Sequence, residues 1–211
     1  MNLDWRSESA RQRIAYISEI ISRLLLITLY ALLVINLYQD MRLNFRVSSF
    51  LLLIQELLLI VLLFVRRPSI STSVRPHEWA IAFTASFLPL MLRAHGTSEY
   101  IIGSVFSSVG ALVGILGMLA LNRSFGIVPA NRGIRTSGIY RWVRHPLYSS
   151  YTIAFSGFLI NNFSLYNAST LAAWFVFQTL RLLMEERHLA QNPEYRQFMQ
   201  STRWRLWPGI W

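Results

Sequence analysis

The stretch Val47–Val65, VSSFLLLIQELLLIVLLFV, decides the fold. An α-helix needs roughly 20 mainly apolar residues to cross ~30 Å of hydrocarbon, and this stretch supplies them with only Gln55 and Glu56 at its centre. Working outward, Ile20–Tyr38 qualifies as a second span, interrupted by Ser22, Arg23 and Asn36 near its ends. Downstream, Trp79–Leu92 is short and carries Pro89, which predicts a kink or a tilt. Tyr100–Leu121 is long and glycine-rich. Leu147–Leu159 and Ala168–Leu183 form a last pair around the turn Asn161-Asn162-Phe163-Ser164. The pattern predicts an all-α integral membrane protein of five to six transmembrane helices, the last two a helical hairpin. A strand followed by Gly-x-Gly-x-x-Gly is absent from the sequence, so no Rossmann domain is expected.

Composition excludes several other classes. The 211 residues carry a net charge of +10, and every one of the twenty basic residues is arginine. A pI near 10.8 points to nucleic acid when the chain is soluble. Here a mean hydropathy of +0.38 and only 14% charged residues exclude both a soluble nucleic-acid binder and a disordered chain. The lack of cysteine excludes disulfides, thiolate metal sites and a cysteine nucleophile. The first apolar stretch is too long for a cleaved signal peptide, and no small-residue cleavage site follows it. Internal repeats and low-complexity tracts are also lacking.

Placed on the spans, the arginines report sidedness. With the N-terminus inside, 15 of the 20 fall in residues 1–19, 66–78, 122–146 and the tail, whereas the opposite side receives Arg42, Arg46 and Arg93. By the positive-inside rule the termini and the 122–146 loop are cytoplasmic. Gly103, Gly110, Gly114 and Gly117 recur at steps that keep them on one helical face. Helix packing is the favoured reading of that face, and a groove for a lipid chain is the alternative.

The 122–146 loop is polar, basic and glycine-punctuated, and it ends at His145-Pro146. Proline suits the first position of a helix, which sets the His145 imidazole beside free backbone N–H groups. Arginines and such donors can hold a carboxylate or phosphate, or they can merely satisfy the inside rule; both readings stand. A second polar cluster closes the last span: Arg181 and Glu185 share a face four residues apart, followed by Glu186, Arg187 and His188. An i,i+4 ion pair is the structural reading, but a charge at bilayer depth marks a function by default. Glu185-Glu186-x-His188 hints weakly at metal, since no further ligand set has recognisable spacing, so no metal is expected. Glu56 reads either as a structural partner of Arg23 or another helix, or as part of an ion pathway.

The stretch Thr136-Ser-Gly-Ile-Tyr-Arg-Trp-Val-Arg-His-Pro-Leu-Tyr148, followed by Arg181-x-x-x-Glu185-Glu186 and Pro193-Glu-Tyr195, resembles the isoprenylcysteine carboxyl methyltransferase family. Phospholipid methyltransferases share much of the pattern, which covers residues 120–208. The resemblance implies a C-terminal methyltransferase region over 120–211 behind N-terminal helices over 1–119. It implies S-adenosyl-L-methionine as cofactor, S-adenosyl-L-homocysteine as product, and a site built from membrane helices. Cofactor contacts then fall on Arg132, Gly133, Ile134, Arg135, Tyr140, His145, Pro146, Leu147, Tyr148 and Glu185. Ser124-Phe125-Gly126 departs from the eukaryotic members, and no contact is assigned before Arg132.

Arg181 then faces the acceptor and Glu185 closes the cofactor site, the two being the expected catalytic residues. A carboxylate acceptor such as a prenylcysteine needs no base, whereas an amine, thiol or phenol would draw on Glu185, Glu186 or Tyr148. The expected partners are the bilayer and an amphipathic, lipid-like substrate, without nucleic acid. Two alternatives remain: an NADPH-dependent enzyme like the membrane sterol reductases, which share a related histidine–proline–tyrosine segment, and a non-enzymatic transporter or scaffold.

Overall fold

The computed structural model describes residues 8–43, 45–73, 75–94 and 100–211. Arg6 lies outside the described residues, as do the side chains of Arg11 and Arg13, so the N-terminal arginines of the topology argument are not placed.

The described residues are almost entirely helical: α1 (Glu8–Leu43), α2 (Val47–Val65), α3 (Pro76–Phe87), α4 (Ile101–Leu121), α5 (Pro146–Asn161), α6 (Leu165–Leu189) and α7 (Pro193–Ser201). The six apolar segments correspond to α1–α6. Two stretches, Val47–Val65 and Ile101–Ser124, are long and apolar enough to cross a membrane by length and composition. The remaining segments follow local chemistry. Helix α3 stops at Phe87 and passes into a 3-10 turn over Leu88–Met91, because Pro89 cannot donate the next helical hydrogen bond. Pro146 sits in the first turn of α5, as expected. Ser164 caps α6 by accepting from Asn167 N at 3.1 Å, and Asn192 caps α7 by accepting from Glu194 N at 2.8 Å.

Helices α4 and α5 lie closest. A Cβ at Gly110 would stand 2.5 Å from Ala154 N, one at Gly103 would strike Asn161, and one at Gly117 would meet Leu147. Gly114 faces Gln55 of α2 and Ser150 of α5. The glycine face is therefore a packing face, not a lipid groove. An apolar core of Leu26, Leu59, Leu63, Met118, Phe125 and Leu147 joins α1, α2, α4, α5 and the loop after α4.

The loops assemble at two ends. At one end, Arg67 N donates to Arg123 O at 2.8 Å and Arg123 Nε to Val65 O at 2.8 Å. There β1 (Ser71–Thr72) pairs antiparallel with β2 (Ala130–Asn131), and Arg23 Nη1 donates to Phe64 O at 3.3 Å. The C-terminal tail joins this basic end: Arg144 N and His145 N donate to Trp204 O and Arg205 O, each at 2.9 Å. At the other end, Asn167 exchanges hydrogen bonds with the Arg93 backbone, and Asn161 Oδ1 accepts from Tyr100 N at 2.9 Å. Helices α2 to α6 thus alternate in direction.

Candidate active site

A cavity of about 480 Å³ runs between these helices. Each helix contributes one face: Tyr30, Leu33 and Leu37 from α1; Leu52, Glu56 and Leu59 from α2; Tyr148, Tyr151, Phe155 and Phe158 from α5; Trp174, Gln178, Arg181 and Glu185 from α6. Steps of three, four or seven residues are what one helical face requires. Along α6 the lining runs from Trp174 to Leu189, about 22 Å at 1.5 Å per residue. Its loop end is polar and its far end is apolar.

Of the eleven residues expected at the site, ten line this one cavity: Arg132, Gly133, Ile134, Arg135, Tyr140, His145, Leu147, Tyr148, Arg181 and Glu185. Pro146 does not. It is fully buried in the first turn of α5, near Gly117, where its fixed φ starts the helix. Gly133 holds a φ of +96°, a left-handed conformation that favours glycine, and its N–H donates to Asn131 Oδ1 at 3.0 Å. Arg132 is buried and donates through Nη1 to Arg67 O, which ties the loop to the end of α2. Arg135 is half-buried and forms no hydrogen bond or ion pair among the described residues.

The adjacent glutamates diverge. Glu185 Oε2 accepts from the Tyr148 hydroxyl at 2.5 Å. The Tyr148 ring stands between it and Arg181, whose guanidinium carbon lies 5.6 Å from the ring centroid. Arg181 donates to Ser86 Oγ at 3.2 Å, so the i,i+4 ion pair with Glu185 is not formed. Glu186 points the other way. Its Oε1 accepts from Arg144 Nε at 2.8 Å and His145 Nε2 at 3.1 Å, and its Oε2 accepts from Arg205 Nε at 2.8 Å. Burial alone would raise its pKa, but the hydrogen bonds from His145, Arg144 and Arg205 outweigh that and hold it at about 2. Glu186 is thus a structural anion joining α5, α6 and the tail, and it is not free to act as a base. His188 turns to Ser71, 3.1 Å away, so Glu185, Glu186 and His188 do not converge as a metal site would require.

His145 Nε2 is engaged by Glu186, and its ring lies edge-on to Tyr148 with centroids 5.3 Å apart. The imidazole is thereby fixed in the cavity wall. Burial pushes the Tyr140 hydroxyl well above its ordinary pKa, so it stays protonated as a donor.

Sequence reasoning left several lining residues unassigned. Ser124 and Gly126, skipped for their departure from the family pattern, line the mouth, as do Tyr195 and Phe198 of α7. The Tyr195 hydroxyl is buried and has no partner among the described residues. Tyr151 and Gln178, each three residues from an assigned side chain, were recoverable from helical spacing. Ser86 and Tyr30 carried no local signal. Arg23 Nη1 bonds Phe64 O, whereas Glu56 lines the cavity with its buried Oε2 unpartnered among the described residues.

Residues 93–196 match the phospholipid methyltransferase family model. That segment, 104 of the 211 residues, is similar to a family of integral membrane methyltransferases related to the isoprenylcysteine carboxyl methyltransferases. The match takes in α4, upstream of the motif-bearing region, and ends before the tail. No curated protein matches the chain.

Proposed function

We propose that the protein transfers a methyl group from S-adenosyl-L-methionine to an amphipathic, lipid-like acceptor at the cytoplasmic face of a membrane. The observation that carries the reading is the cavity that gathers ten dispersed candidate residues and continues inward between mainly apolar helix faces. The multi-pass topology, with both termini and the cofactor loop cytoplasmic, belongs to the same proposal. So does the division into N-terminal helices over 1–119 and a catalytic region over 120–211.

The residues present fit the cofactor. Arg135 is a cation without a partner among the described residues, suited to the amino-acid carboxylate. Glu185 has one oxygen on Tyr148 and the other open to an ammonium or a ribose hydroxyl. The buried Tyr195 hydroxyl lacks a partner, and Ile134, Leu147 and the rings of Tyr140 and His145 offer apolar wall to a purine. The cofactor supplies an already activated methyl group. What remains for the protein is alignment. Glu186 fixes His145, Tyr148 fixes Glu185, and Ser86 steadies Arg181 where the acceptor's polar head would enter. The apolar walls of α1, α2 and α5 beyond Arg181 would take its tail. The Arg181 guanidinium taken alone would suit a prenylcysteine-like carboxylate.

Calorimetric titration of the purified protein tests it. S-adenosyl-L-homocysteine should bind and NADPH should not, and the reverse result overturns the reading in favour of a reductase. Glu185→Ala should weaken nucleoside binding by about tenfold or more, the scale of a hydrogen bond to a charged group. Arg181→Ala should leave that binding within about twofold while cutting turnover with lipid extracts and labelled cofactor.

A further inference from the structure

Three polar side chains in the middle of the cavity are more than nine-tenths buried and incompletely satisfied: Glu56 at 8% exposure, Gln178 at 5% and Arg181 at 9%. Arg181 uses Nη1 on Ser86 but leaves its buried Nε without a partner, and Gln178 Oε1 is likewise unpaired among the described residues. Glu56 likewise leaves its buried Oε2 without a hydrogen-bond partner among the described residues. Tyr30 and Tyr151 lie within electrostatic reach of both Glu56 and Arg181, yet neither hydroxyl bonds the carboxylate. An unsatisfied buried acceptor is costly, and one that faces a cavity is completed by a donor on whatever fills that cavity. Satisfying Glu56 requires a donor, and its charge disfavours a second carboxylate beside it.

We infer that Glu56 is the specificity-determining residue of this cavity, selecting acceptors whose polar head carries an N–H or O–H donor over those ending in a carboxylate. This deepens the methyltransferase reading and rests on it for calling the ligand an acceptor. Gln178 Oε1 supports the same choice from α6, and the Arg181 Nε is available to an oxygen of the same head. Glu56 belongs to α2, outside the family-matched segment, so a helix that precedes that segment takes part in the selection.

The test uses the full chain in phosphatidylcholine nanodiscs with three probes brominated in the chain: dodecylamine, dodecanol and dodecanoate. Bromine quenches tryptophan, and Trp174 lines the cavity. Quenching that arises in the bilayer is common to wild type and variant, so the difference between them isolates the cavity. In the wild type the amine or the alcohol should saturate at a concentration at least about tenfold below the carboxylate. The amine and alcohol arms identify which donor is preferred. Glu56→Gln should erase that preference while S-adenosyl-L-homocysteine still binds, which certifies the fold. Carboxylate preference in the wild type, or an unchanged preference in Glu56→Gln, overturns the inference. If Glu56→Gln also loses nucleoside binding, Glu56→Asp decides: it restores a carboxylate, and absence of donor preference in a folded Glu56→Asp protein overturns the proposal. Donor preference without any nucleoside binding by the wild type would sink the methyltransferase reading and leave the Glu56 site standing.

Discussion

At the end of α6 a rotation of about 100° per residue sends the carboxylate of Glu185 to the cavity and that of Glu186 to the tail. The two therefore answer to different measurements. Removing Glu186 leaves Arg144, with a side chain only 5% exposed, as an uncompensated buried cation. Glu186→Ala should then cost about 3–5 kcal/mol, read as a fall in thermal unfolding midpoint in detergent. The pH dependence has a definite sign. The Glu186 carboxyl titrates at about 2 when folded against 4.5 as its ordinary value, so its contribution is whole above pH 4.5. It drains away as the pH falls from there toward 2. Acid unfolding curves should show this loss in the wild type and a flatter profile over the same window for Glu186→Gln. Both glutamates were visible in the sequence as a pair. Which one is structural was not, because the partners of Glu186, Arg144 and Arg205, come from the loop and the tail.

Among the helices, α4 and α5 owe their close approach to residues without side chains. At Gly110 a Cβ would press on the backbone of Ala154 at 2.5 Å, and backbone cannot swing aside. Gly110→Ala should therefore destabilise the protein by about 1–3 kcal/mol, the usual range for overpacking. Leu112, on the outer face with 47% exposure, is the control: Leu112→Ala should stay within about 0.5 kcal/mol. The glycine periodicity was legible in the sequence because helical spacing is local. That the partner is α5, with α2 meeting Gly114, was not, since periodicity names a face and not its neighbour. The ends of the elements were equally local, set by Pro89, Pro146, Ser164 and Asn192.

Over the whole molecule, the basic segments around Arg67, Arg123 and Arg205 gather at one end, and Arg93, Tyr100 and Asn167 gather at the other. This separation supports the proposed topology and makes it testable. The chain has no cysteine, so single cysteines can be introduced without background. Ser137→Cys and Ser201→Cys should react with an impermeant maleimide only in inside-out vesicles. Phe45→Cys and Phe163→Cys should react only in right-side-out ones, and the opposite pattern would invert the assignment. Hydropathy, arginine placement, caps and the loop motif pointed by themselves to a helical membrane protein, to where its helices lie, and to ten of the residues that line the cavity. These properties are readable because each depends on a residue and its neighbours within a few turns. Only the tertiary structure decided that Arg181 bonds Ser86 instead of Glu185, that Glu186 clamps the tail, and that Glu56 shares a cavity with Gln178 and Arg181. Those partners are far apart along the chain, and a hydrogen bond depends on distance in space, which sequence separation does not encode.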